Sequence, residues 1–230
     1  MTEPKKFSRR EVARHLGVVA GAAMAANTFA SSMLATPSQV EGPFHPVDSQ
    51  DDTDLDLSMI EGHTRAAEGE TILVSGRVFD TRGGPLKGAL VDVWQANHLG
   101  RYSHPKDKNT AALDPNFQGW GLLRTDDQGR YALKTIKPGP YPLSFMGEEG
   151  WRCRHIHFKI SQPGVESLIT QMYFEGDPLI SQDLEVAKVP QAQRHMLIAK
   201  ASPDAESGLP RYHFDIFVAL ATVSKAQGLS

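Results

Sequence analysis

From Thr71 onward, apolar runs rich in β-forming residues alternate with turn signals, and no long stretch repeats at a helical period. Thr71–Asp80 is followed by the turn Arg82-Gly83-Gly84-Pro85 and a second apolar run over 89–95, a pattern that predicts a β-hairpin. Residues 121–125, the turn Asp126-Asp127-Gln128-Gly129 and residues 131–136 predict another. Further strands are expected over 154–160, 168–174, 196–201 and 212–220. The last of these alternates less cleanly, so a buried helix is an alternative there. Strands at this spacing with no crossover helices predict an all-β fold, an antiparallel β-sandwich with little helix. Long connections over 96–119 and 137–150 are expected to carry function, because loops of that length are uncommon without one.

The 230 residues are enough for one core but short for two domains. The expected division is an N-terminal arm over 1–35, an extended lead-in over 36–70 and a catalytic domain over 71–230. With 24 basic and 27 acidic residues and no long run of either sign, nothing points to nucleic acid or to a polybasic membrane surface. The single cysteine, Cys153, excludes an intramolecular disulfide and any zinc site built from cysteines.

The arm reads as an address. Lys5, Lys6, Arg9 and Arg10 precede a weakly apolar stretch over 16–26, and Ser8-Arg9-Arg10-Glu11-Val12 resembles a twin-arginine export signal. That stretch is short of the roughly 20 residues a bilayer requires, so no stable membrane insertion is expected. Export to the periplasm or beyond is the favoured reading, and an Ala-rich helix retained by a cytoplasmic protein is the alternative.

His155 and His157 are two apart in a strand-like run, so both imidazoles share one face while Ile156 enters the core. Such pairs also occur in cupins, in zinc sites and in plain structural strands, so the pair alone does not decide. Tyr102 and Tyr141 lie in the two long loops, and Pro140 and Pro142 stiffen the backbone around Tyr141. His45, His63, His98, His104, His195 and His213 are isolated and are read as solvated or structural. Tyr131, Tyr173 and Tyr212 read as core, and Trp94 and Trp120 as core or pocket wall. Cys153 reads as a buried thiol that binds no metal.

Six ordered runs carry a more specific signal. They are Trp94-Gln95-Ala96-Asn97, Gly100-Arg101-Tyr102, Asp114-Pro115-Asn116-Phe117, Thr135-Ile136-Lys137-Pro138-Gly139-Pro140-Tyr141-Pro142, Arg154-His155-Ile156-His157-Phe158 and Thr170-Gln171-Met172-Tyr173-Phe174-Glu175-Gly176-Asp177-Pro178. Together they resemble the intradiol ring-cleavage dioxygenases, nearest the protocatechuate 3,4-dioxygenase branch, over roughly 36–217. The resemblance implies ferric iron held by Tyr102, Tyr141, His155 and His157, with Arg152 stabilising charge on the substrate and Gln171 as a polar support. It further implies that Tyr141 leaves the metal when an aromatic 1,2-diol binds, and that O2 opens the ring to a cis,cis-muconate-type dicarboxylate. All four implied ligands lie in one chain, which favours a homo-oligomer.

One departure bears on substrate. After Tyr141-Pro142 the protocatechuate enzymes usually carry a Trp-Arg pair, whereas this chain has Leu143-Ser144 and a slightly longer loop. Leu143, Phe145 and Met146 are therefore candidate specificity residues, with catechol, hydroxyquinol and substituted catechols all open. Two other readings are a transthyretin-like binding module without chemistry and a zinc hydrolase using His155 and His157.

Overall fold

The computed structural model describes residues 33–48 and 52–221. The export motif and most of the N-terminal arm lie outside the described residues. The chain forms β1 (Thr71–Asp80), β2 (Leu90–Trp94), β3 (Trp120–Arg124), β4 (Arg130–Ile136), β5 (Tyr141–Pro142) and β6 (Trp151–Arg152). There follow β7 (His155–Ser161), β8 (Leu168–Phe174), a five-residue helix α1 (Leu184–Lys188), β9 (Ile198–Ala199), β10 (Ala201–Pro203), β11 (Pro210–His213) and β12 (Ile216–Val218). Strands dominate, helix is scarce, and no described helix is long and apolar enough to cross a membrane.

One five-stranded sheet is centred on β1, with β4 along one edge and β11 and β12 sharing the other; β10 joins β11. The second has the order β3-β2-β7-β8-β9. Val74, Leu133 and Ile216 from the first and Val91, Phe158 and Met172 from the second belong to one buried cluster, so the two sheets share a core.

Both expected hairpins are corrected. β1 pairs with β4 and β2 with β3, so the two turns carry the chain between sheets instead of folding a strand back on its neighbour. Pairing does begin at the first turn, where Leu86 N–H donates to Val78 O, but Val78 N–H donates to Gly129 O and β4 takes that edge of β1 from Arg77 back to Thr71. The turns instead tie to each other: Thr125 N–H donates to Ala89 O and the Thr125 hydroxyl accepts from Ala89 N–H. The antiparallel expectation is also corrected, because β11 and β12 run parallel to β1, and β9 runs parallel to β8. The run over 212–220 is two short strands, interrupted where the Asp215 carboxylate replaces a backbone acceptor and takes Arg77 N–H at 2.8 Å. Residues 196–201 begin in a 3-10 helix, Gln191–Leu197, and only then become strand.

Candidate metal centre

In β7, Ile156, Phe158 and Ile160 face the shared core, which turns His155 and His157 to the opposite face. There the register fixes their neighbours. Trp94 and Gln171 stand opposite His157 on the flanking strands, and Tyr173 stands opposite His155. The Trp94 indole stacks on the His157 ring at 4.7 Å and 9°. The two-stranded β5–β6 ribbon places Tyr141 directly across from Arg152.

Tyr102 is held by its loop. Asp107 accepts Tyr102 N–H at 2.7 Å, and the Asn97 side-chain oxygen accepts from Leu99 and Arg101 N–H. The Tyr102 and Tyr141 loops touch backbone to backbone at two glycines. A Cβ on Gly100, whose φ is +81°, would lie 2.2 Å from Pro140 O, and one on Gly139 would lie 2.4 Å from His98 O. Only residues without a side chain permit this approach.

The four side chains singled out in the sequence converge. The Tyr102 hydroxyl is 3.1 Å from His157 Nε2 and 3.3 Å from His155 Nε2, and the Tyr141 ring lies 5.8 Å from that of Tyr102 and 5.7 Å from that of His155. All four are between 2% and 4% exposed. The Cys153 carbonyl accepts from His155 Nδ1 at 2.7 Å, so the proton sits on Nδ1 and the Nε2 lone pair faces Tyr102.

Burial sets the protonation of the bare site. It pushes the Tyr102 phenol well above its usual range, helped by Tyr141, and raises Tyr141 to about 12 against the opposing pull of Arg152. Burial, with Arg152 nearby, likewise drives both imidazoles well below their usual range, and His155 adds to the effect on His157. Two neutral phenols and two neutral imidazoles thus meet, with the Tyr102 hydroxyl within hydrogen-bond distance of both Nε2 atoms. This donor set fits a hard, highly charged cation, which would ionise the phenols and engage both lone pairs. Among the described residues no three His, Cys, Asp or Glu side chains converge to hold a metal, so a cation at the histidine pair must draw on the phenols.

Arg152 is buried beside this cluster. Its Nε donates to Asp183 Oδ2 at 2.9 Å and its Nη2 to Gln171 Oε1 at 2.6 Å. Gln171 Oε1 also accepts from the Tyr173 hydroxyl, which reaches Gln39 of the lead-in, while Gln171 Nε2 donates to Val40 O. Apolar walls come from Phe44, 4.9 Å from the Tyr102 ring, and Phe145, 6.1 Å from that of Tyr141. A cavity of about 330 Å³ is lined in part by Phe44, Trp94, Tyr102 and Trp120.

Several contributors escape a reading of the sequence. Tyr173, expected as core, is buried but tied into the polar network through its hydroxyl. Asp183 and Asp177 pin the backbone before the histidines, accepting from Cys153 and Arg154 N–H. Asp183 precedes α1 as a helix N-cap, a signal present in the sequence that says nothing of Arg152. Tyr131 and Tyr212 are core residues, and Cys153 is a buried free thiol whose pKa burial pushes up. The remaining described histidines stay outside the cluster. His45 pairs with Asp92 and meets Trp94 edge-on behind His157, whereas His63, His98 and His213 have polar partners of their own.

Residues 40–219 match the family model described as Dioxygenase. The protocatechuate 3,4-dioxygenase beta chain of Burkholderia cepacia is 42% identical over 190 residues, 80% of each chain. Catechol 1,2-dioxygenase 2 of Acinetobacter lwoffii is 36% identical over 66% of this chain and 56% of its own length, so this chain spans little more than half of that relative. The crystal structure of 3-chlorocatechol 1,2-dioxygenase from Rhodococcus opacus superposes with a TM-score of 0.64 at 29% identity, covering 84% of this chain and 76% of that one. With its phenols and imidazoles gathered beside a buried arginine and its sequence matched over most of its length, the chain belongs to the intradiol ring-cleavage dioxygenase family.

Proposed function

We propose that this protein opens the ring of an aromatic 1,2-diol with O2, using ferric iron held by Tyr102, Tyr141, His155 and His157. The observation that carries the reading is the buried meeting of two phenols and two imidazoles, with the Tyr102 oxygen 3.1 and 3.3 Å from the two Nε2 atoms. When bound, the ion supplies Lewis acidity and a charge-transfer path that makes the chelated diol ring open to attack by O2. Tyr141, ionised by the bound ion, would accept one diol proton at its hydroxyl oxygen, the other passing to solvent. Tyr102 and the two histidines stay in place, locked by Asp107, Cys153 O and the stacked Trp94. Arg152 stabilises negative charge that grows on the substrate as the ring opens, in a setting where burial strengthens its field. Phe44 and Phe145 exclude water from this face. The expected product is a cis,cis-muconate-type dicarboxylate carrying both atoms of O2.

The shared core of the two sheets supports a sandwich arrangement, and four candidate ligands in one chain support a homo-oligomer. The basic pair ahead of an apolar stretch supports export by a twin-arginine-type route. A binding module without chemistry, or a zinc hydrolase, gives no account of two phenols placed against the imidazoles.

The β5–β6 tip bears on substrate. It carries buried Leu143, half-buried Phe145 and exposed Met146, Glu148 and Glu149, with no basic residue between Tyr141 and Arg152. A ring carboxylate on that side would meet apolar and acidic groups, so uncharged diols are the proposed substrates. Catechol is expected to exceed protocatechuate in kcat/KM by at least about 10-fold, about 1.4 kcal/mol of transition-state binding. Both the reaction and this preference are tested by anaerobic addition of each diol to iron-loaded protein, followed by O2 and analysis of the ring-opened acid. A visible band that shifts with catechol and decays to product supports the reading. Absence of any substrate-induced change with every diol overturns it, and equal turnover of protocatechuate overturns the preference alone.

A further inference from the structure

Arg152 stands on the short β6 strand, at the end of an exposed tip, yet its guanidinium is buried. Nothing in its own ribbon holds the head group. The bonds come from elsewhere: Asp183, from the segment after β8, takes Nε, and Gln171 of β8 takes one Nη2 hydrogen. Arg152 has five N–H donors, so these bonds leave guanidinium hydrogens for a substrate.

Asp183 is itself 0% exposed and divides its two oxygens between two tasks. Oδ1 accepts from Glu185 and Val186 N–H at 2.9 and 3.2 Å and caps α1. Oδ2 accepts from Arg152 Nε at 2.9 Å and from Cys153 N–H at 2.8 Å. The carbonyl of that same Cys153 accepts from His155 Nδ1, so one carboxylate oxygen fixes both the arginine head and the backbone that orients the first imidazole.

We propose that Asp183 is the positioning residue of the site, setting where Arg152 meets the substrate through Oδ2 while anchoring itself to α1 through Oδ1. It touches no reacting atom. Its effect passes through Arg152 and the Cys153 backbone, and the proposal rests on the reading of Arg152 as the group that meets the substrate. The division of labour makes the two roles separable. Serine at 183 keeps an N-cap oxygen but removes the oxygen that faces Arg152. Asparagine keeps the cap and turns an NH2 toward Arg152 Nε and Cys153 N–H, setting donor against donor.

Two measurements on the full-length chain test this. In metal-free protein with ε-15N-labelled arginine, assigned with Arg152→Lys, the Arg152 Nε–H should exchange with water at least about 10-fold more slowly than that of exposed Arg82. Asp183→Ser should abolish this protection. In iron-loaded protein the same substitution should lower kcat on catechol by on the order of 10²-fold, the cost of a misplaced catalytic group, while KM moves by no more than about 3-fold. Asp183→Asn should be slower still. The proposal is overturned if Arg152 exchanges as fast as Arg82 in the wild type, or if Asp183→Ser keeps the wild-type kcat. Should either substitution prevent folding, the wild-type exchange comparison still decides. Should wild-type protein open no diol at all, the functional reading fails while the exchange experiment continues to judge Asp183.

Discussion

Tyr102→Phe should abolish ring cleavage, lowering kcat by at least about 10³-fold, or about 4 kcal/mol of barrier. The Tyr102 oxygen is the atom nearest both imidazole Nε2 atoms, at 3.1 and 3.3 Å, and phenylalanine fills nearly the same buried volume without it. The fold should survive, because Tyr102 is held through its backbone by Asp107 and through its ring by Phe44. What disappears is one of two anionic donors and with it much of the affinity for a trivalent ion. Iron content, visible absorbance and O2 uptake, measured side by side, check the result. A variant that stays coloured and active would show that Tyr102 is no ligand. Tyr141→Phe should keep more of its colour, since the Tyr102 oxygen stays in contact with both imidazoles, but should lose turnover because the proton acceptor is gone.

Gly100→Ala should be nearly as damaging by a different route. The added methyl would lie 2.2 Å from Pro140 O in a residue whose φ of +81° already disfavours any side chain, so the two tyrosine loops must part. Separation of that contact moves Tyr102 and Tyr141 independently, although neither is altered. The expected outcome is a folded protein destabilised by about 2–4 kcal/mol with sub-stoichiometric iron, read from denaturant titration and metal analysis. Wild-type stability and full loading would show that the loops do not depend on this contact.

The histidine pair is legible in the sequence because a strand has period two, so residues 155 and 157 share a face whatever surrounds them. The tyrosines have no such signature. They lie in loops, where no periodicity fixes direction, and only the likeness of whole runs points to them. Turn chemistry was informative about where the chain reverses and silent about which strands then pair. Asp126 to Gly129 does form a turn, yet β3 and β4 enter different sheets because β1 offers β4 seven paired positions. Parallel partners such as β11 and β12 arrive from more than 130 residues away, beyond the reach of any local pattern. Asp183 reads locally as a helix cap; its bond to Arg152 exists only once β6 and α1 are brought together.

That long-range pairing has a consequence for how the enzyme matures. Thr36 N–H donates to Phe217 O and its hydroxyl accepts from Phe217 N–H, so the lead-in that supplies Gln39, Val40 and Phe44 is fastened by a residue 181 positions later in the chain. Before the chain has reached Phe217, the lead-in lacks this pair of bonds and is left with contacts such as those to Thr81, Ile169 and Thr170. Iron delivered to a nascent chain that stops short of Phe217 would therefore meet an unfinished vessel.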